Sequence, residues 1–274
     1  MRLVSPAVEA LRAIDAWGAR AAAVGVVRAG GDVAVHGPRG LPFRWASVTK
    51  LLTGLATLVA VEEGTVDLDE PAGPPGSTLR HLLAHASGLP PEDGPPLMAP
   101  GRRRIYSNAG IEAAAELVAA RAGIPFAAYF ADAVVQPLGL AGELASSPAW
   151  GYRGPLDDLL KLARELLAPT LVAAETLVEA TTVQFPGLDG VLPSFGRMTP
   201  NDWGLAFELR DDKSPHWTGT RNSPQTFGHF GAAGTFIWVD PSAGAACCVL
   251  TDREFGDWAK HAWPALGDAV LAEL

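Results

Sequence analysis

Residues 43 to 64 read "FRWASVTKLLTGLATLVAVEEG". From Leu51 through Leu52, Leu55, Leu58 and Val59 to Val61 the run is apolar almost all round, without the polar stripe of a surface helix. Such a helix is a buried one. At its mouth stands Lys50, three residues after Ser47, in a chain whose only other lysines are Lys161, Lys213 and Lys260. A charge placed there costs free energy unless something uses it. Any fold for this chain must bury this helix and give Lys50 a task.

The 274 residues are enough for one large domain with a substantial core, and 48% hydrophobic with 19% charged residues is an ordinary globular balance. The net charge of -9 and the absence of a basic stripe argue against nucleic acid or an anionic membrane as partner; "GRRRIY" at 101–106 is too short to change that. The N-terminal "MRLVSPAVEALRAIDAWGAR" reads as an amphipathic helix rather than a signal peptide, and no apolar run is long enough to span a bilayer, so a cytoplasmic location is expected. Cys247 and Cys248 are adjacent in an apolar strand-like run. Strand neighbours point to opposite faces, so reduced core thiols are expected.

Two β-rich runs at 21–37 join at Gly30-Gly31-Asp32 as a hairpin. The helix over 47–63 follows, with Ser47 at or near its start and Gly64 as its C′ residue. Pro- and Gly-rich loops at 71–77 and 90–101 punctuate helical patterns at 78–85, 110–122, 125–136 and 155–167. Residues 234–252 form two strands around Asp240-Pro241-Ser242, and a last helix covers 257–273. This order predicts an α/β (α+β) fold: an antiparallel sheet from both chain ends, flanked by helices, with a helical insertion. It is one domain, 1–274, with subdomains at about 1–75 plus 185–274 and about 76–184.

On a helix, i and i+3 share a face, so Ser47 and Lys50 stand side by side near an N-terminus with its unpaired N–H groups. A partly desolvated lysine is pushed toward its neutral form and acts as a base, and serine beside a base is an activated nucleophile. Ser-x-x-Lys alone is a weak motif. A second element, Tyr106-Ser107-Asn108, puts a phenol and a carboxamide on one side of an extended segment. A third, His229-Phe230-Gly231 at the start of a strand, has glycines that allow close approach of a substrate backbone.

These three elements, in this order, resemble those of serine β-lactamases and penicillin-binding proteins. With Tyr-Ser-Asn second and His-Phe-Gly third, the resemblance is to the class C β-lactamase-like family, which includes esterases, D-aminopeptidases and transacylases. "HLLAHASGLP" at 81–90 is similar to a further family segment, with Ala86 where threonine is usual, and the likeness spans about residues 20 to 255. It implies that Ser47 is acylated, that Lys50 and Tyr106 share the proton transfers, and that Asn108 binds the substrate amide or Lys50. It also implies an oxyanion hole from the backbone N–H groups of Ser47 and Ala232, with His229 and Gly231 lining the substrate site. No cofactor is implied. His81 and His85 are four apart, but no third ligand follows at sensible spacing, so no metal is expected. Trp203 and Trp217 flank the third element and pack there, with Trp217 a candidate wall for an apolar acyl group.

The third motif departs from Lys-Thr-Gly, whose lysine binds a carboxylate in many members. His229 is at most partly charged near neutrality, which disfavours anionic β-lactams and peptide C-termini. The expectation is a serine hydrolase or acyltransferase working on a small-molecule ester or amide. The alternatives are a biosynthetic transacylase, a β-lactamase or D,D-peptidase, and a non-catalytic ligand-binding module. The sequence sets no oligomeric state.

Overall fold

A computed structural model describes residues 6 to 274, so the first five residues of the expected N-terminal helix lie outside the described residues. The remainder of that helix is α1 (Pro6–Leu11), continued by a 3-10 turn at Arg12–Ala16. Its apolar side chains Leu11, Ile14 and Trp17 are buried.

The main sheet contains β1 (Ala22–Arg28), β2 (Val33–His36), β8 (Glu208–Leu209), β9 (Phe227–Gly231), β10 (Thr235–Asp240) and β11 (Ala245–Thr251). Its order is β2-β1-β11-β10-β9-β8, every pair antiparallel. The two chain ends thus meet at its centre, where Gly25 faces Cys248 in the β1–β11 register. Residues on β11 alternate between two cores. Cys248 and Leu250 join the one that holds the central helix, and Cys247 and Val249 join the one under the C-terminal helix. Both thiols are free and buried, as strand alternation predicts.

Two smaller sheets lie outside it. β3 (Phe43–Arg44), β5 (Tyr152–Gly154) and β4 (Glu143–Leu144) pair in the order β3-β5-β4, and β6 (Gly190–Leu192) pairs with β7 (Gly196–Met198).

The central helix α2 (Thr49–Glu62) has 11 of its 14 residues buried, Lys50 among them, which fits its all-round apolar sequence. It ends before Gly64, whose φ of 73° is the left-handed C′ conformation that glycine adopts without strain. Around it pack α3 (Leu79–Leu83), α4 (Asn108–Ala122) and α5 (Phe126–Phe130), the last continued by a π-helical turn at Ala131–Val135. α6 (Leu156–Leu167) falls within the stretch expected to form a separate helical subdomain, yet it packs on β1, β10 and β11. α7 (Ala174–Ala180) was not expected from the sequence, and α8 (Asp257–Glu273) closes the far face despite Pro264.

Candidate active site

Ser47 sits in a 3-10 turn, Ala46–Val48, that leads into α2 rather than in the helix proper. The turn is fastened from both sides. Trp45 donates its backbone N–H to Tyr152 (3.0 Å) and its Nε1 to the Gly154 carbonyl (3.1 Å), while its own carbonyl accepts from Thr235 Oγ1 (2.8 Å). Ala46 has a φ of 48°, a left-handed conformation that costs an alanine free energy and persists only where its surroundings enforce it. The end of β9 enforces it. A Cβ on Gly231 would stand 2.5 Å from the Trp45 carbonyl oxygen and 3.0 Å from Ala46 Cβ, so only glycine lets the two backbones approach. His229-Phe230-Gly231 therefore ends β9; it does not begin a strand as expected, and β10 starts at Thr235.

The Lys50 amine is fully buried and donates to three acceptors: Ser47 Oγ at 3.3 Å, Asn108 Oδ1 at 2.6 Å and the Ala149 carbonyl at 2.9 Å. The amide orientation of Asn108 is fixed by its neighbours, because its Nδ2 donates to Glu92 Oε1 at 2.7 Å, an acceptor only. Burial lowers the pKa of Lys50 to about 7, against the raising fields of Glu92 and Glu112. Among the described residues no carboxylate touches the amine.

The amine also lies 4.8 Å from the centre of the Tyr106 ring. Burial raises the phenol's pKa well above its ordinary value, while a side-chain hydrogen bond with Ser47 pulls it partly back. Tyr106 is thus protonated at neutral pH. Tyr106 and Asn108 face the same amine, as their i, i+2 spacing predicts. Ser107 between them turns the other way and caps α4: its Oγ accepts from the Gly110 N–H (2.9 Å) and donates to the Pro90 carbonyl (2.6 Å).

Behind Tyr106 stands an aromatic layer of His85, Trp203 and His229. His85 Nδ1 accepts from the Ser107 N–H (3.1 Å), so this histidine holds the second motif in place. His81 instead closes a capping box with Thr78, and the two histidines do not converge as metal ligands. His229 is 2% exposed and donates Nδ1–H to the Phe230 carbonyl (2.7 Å); burial, helped by the Lys50 charge, depresses its pKa to about 3. It is neutral and lies behind the site, so it offers substrate neither a charge nor an open surface. Trp217 packs as expected, but in the core rather than as a wall for an acyl group. It is 1% exposed, its Nε1 donates to Glu208 Oε2 (2.9 Å), and it packs on Phe230 and Phe236 in the core. Ala232 is exposed at the turn after β9, and among the described residues its N–H donates to no backbone carbonyl.

Three participants escaped the sequence reading: the Ala149 carbonyl, Glu92 and Glu112. None has a local signature. Each is brought to Lys50 only by the fold, from far along the chain or, for Glu92, from a Pro-rich loop through Asn108; Ser107, by contrast, carried the ordinary cap signal of a serine before a helical run.

The chain and its fold have known counterparts. The beta-lactamase family model matches residues 9–271, and the chain belongs to that family of serine hydrolases. It is 53% identical to a beta-lactamase from Mycobacterium bovis of known crystal structure, over 96% of this chain and 98% of that one, with a TM-score of 0.95. Two more distant solved structures share the fold. Simvastatin synthase LovD from Aspergillus terreus is 16% identical over 98% of this chain and 99% of its own (TM-score 0.82). EstCE1, a hydrolase with promiscuous acyltransferase activity, is 19% identical over 97% of each chain (TM-score 0.78). A D-alanyl-D-alanine-carboxypeptidase/endopeptidase, AmpH of Escherichia coli, is 28% identical in an alignment that covers 35% of this chain and 35% of that protein's length. Among the described residues no single helix is long and apolar enough to cross a membrane.

Proposed function

We propose that the protein is a serine acyl-enzyme hydrolase or acyltransferase acting on uncharged esters or amides, with Ser47 as nucleophile. The observation that carries this reading is the set of partners around Lys50. An ammonium has three protons to donate and finds three acceptors. When it loses one, Asn108 Oδ1 and the Ala149 carbonyl still require donors, because neither has a proton to give. The lone pair is therefore left facing Ser47 Oγ, the one partner that carries a proton. With a pKa of about 7, the amine reaches this state at neutral pH.

The chemistry then balances as follows. Ser47 Oγ bonds to the carbonyl carbon and its proton passes to Lys50. The oxyanion lies against the backbone N–H groups of Ser47 and Ala232. Collapse breaks the bond to the leaving group, which takes the Tyr106 proton, and Lys50 restores that proton to Tyr106. Water, an alcohol or an amine then attacks the acyl-Ser47 ester by the reverse sequence. Water as acceptor gives an esterase or amidase; an alcohol or amine gives a transacylase.

The neutral, enclosed His229 supplies no cation for a carboxylate, and this favours uncharged substrates over β-lactams. The test compares kcat/KM for p-nitrophenyl butyrate and for a chromogenic cephalosporin, with Ser47→Ala as blank and fluorophosphonate labelling of Ser47 as a titration of the site. The ester should be the faster substrate. A cephalosporin value equal to or above the ester's would restore β-lactam hydrolysis as the first reading.

A further inference from the structure

A groove of about 510 Å³ opens beside Tyr106, which forms part of its wall. The rest is Pro91, Leu97, Met98, Ile105, Val191 and Pro193, together with Arg103 and Arg104. The lining comes from three segments, the Pro-rich loop after residue 90, the stretch 103–106 and the β6–β7 hairpin, the last two joined by the Arg104 N–H donating to the Asp189 carbonyl (2.9 Å). Leu97 and Val191 are 61% and 49% exposed, so two large apolar side chains are held in water at its rim. Of the two cations here, only Arg104 is fully committed. Arg104 is buried and donates to the carbonyls of Ala84, Gln184 and Asn201, and Arg103 pairs loosely with Asp189. What remains for a ligand is mainly apolar surface, with the part-exposed Arg103 guanidinium beside it.

We infer that this groove holds the acyl chain of the substrate, and that the preferred substrates are esters or amides of unbranched aliphatic acids of about six to ten carbons. The inference rests on Ser47 acylation and names the substrate class for it. The occupant follows from continuity: Tyr106 belongs both to the proton relay and to the groove wall, so an acyl group delivered to Ser47 has this surface beside it. The size agrees, since pockets that enclose a small-molecule ligand measure about 300–1,000 Å³ and an acetyl group would leave most of this one empty. A sugar or peptide, which needs many polar partners, would find along this wall only the Arg103 guanidinium and the Tyr106 hydroxyl.

The experiment is a chain-length series of p-nitrophenyl esters from acetate to decanoate, run on the native protein and on Leu97→Asp/Val191→Asp. Both positions are exposed, so the charges do not enter the core. Each methylene buried adds up to about a fourfold gain, and partial burial over six methylenes should make octanoate at least roughly tenfold better than acetate in kcat/KM. In the double variant the octanoate-to-acetate ratio should fall toward one. A flat or falling native series, or a ratio unchanged by the two aspartates, overturns the inference while leaving Ser47 acylation standing. If no ester turns over and the fluorophosphonate does not label Ser47, the acyl-enzyme reading fails, and the groove is tested separately by saturation-transfer NMR of methyl octanoate with Ser47→Ala. Transfer to the alkyl chain that is abolished by the two aspartates supports the groove as an aliphatic site; no transfer, or transfer unaffected by them, contradicts it.

Discussion

Lys50 and Lys213 are both buried, at 0% and 5% exposure, and each amine has three hydrogen-bond acceptors around it. Around Lys50 these are a hydroxyl, a carboxamide oxygen and a backbone carbonyl. Around Lys213 they are the carbonyls of Asp202 (2.7 Å) and Leu209 (2.6 Å) and the carboxylate of Glu208. Glu208 also binds Trp217 Nε1 and His216 Nε2, each at 2.9 Å, so its second oxygen is satisfied as well. Burial lowers the pKa of both lysines, but at Lys213 the adjoining Glu208 charge opposes it directly. At Lys50 the opposing carboxylates, Glu92 and Glu112, act without touching the amine, and the value settles at about 7. One buried amine has a counter-charge and is structural. The other lacks one and is left able to give up its proton.

The same substitution at both positions should separate these roles. Lys50→Met should lower ester kcat/KM toward the upper end of the 10²–10⁴ range typical of positioned acid–base groups, with the fold retained. It should also remove a pH dependence of stability. The folded pKa of about 7 lies below the ordinary 10.5, so the unfolded chain binds more protons between those values, and Lys50 makes stability rise with pH across that window. Lys213→Met should act on stability instead. It leaves Glu208 buried without its lysine cation, held only by Trp217 and His216, a loss of about 3–5 kcal/mol, and Tm should fall by roughly 6 °C or more. Thermal melts and specific activity per folded molecule on both variants would read this out; matching phenotypes would break the comparison.

Tyr106→Phe should reduce turnover by at least about a hundredfold with little change in KM, because the ring and its packing remain while the transferable proton is gone. Near-native turnover would take the phenol out of the relay. The smallest effect is expected from Glu92→Gln. Removing a charge that raises the Lys50 pKa should shift the acid limb of the kcat/KM–pH profile to lower pH by a fraction of a unit. His85 and His229 face the same amine but are held neutral by burial, so they add no second limb there. A shift to higher pH would contradict the assigned direction.

The two lysines also mark what the sequence discloses. Lys50 was legible because its helix is apolar on every side and a serine precedes it at helical spacing. The Tyr106 and Asn108 partners followed from an i, i+2 spacing, and the sheet from alternation in 21–37 and 234–252. Lys213 was not legible. It lies in "RDDKSPHW", a polar loop by composition, and its burial depends on Glu208 from an adjacent short strand and on Asp202 further back. The substrate-wall role for Trp217 failed for the same reason: loop-like neighbours do not show that Glu208, Phe230 and Phe236 enclose it in the core. The helix start was off by two residues because the 3-10 turn carrying Ser47 is imposed by Gly231, 184 residues away, through a close backbone approach.

The central claim is that the Lys50 proton leaves near neutrality. The chain has four lysines, so a protein labelled with 13C at the lysine ε-carbon should give four assignable resonances. Their chemical shifts would be followed from pH 5 to 11 beside the pH profile of kcat/KM for an ester. The account predicts that one resonance titrates near pH 7, disappears in Lys50→Met, and shares its midpoint with the acid limb of the rate profile. Four lysines that all remain protonated beyond about pH 9 would contradict it.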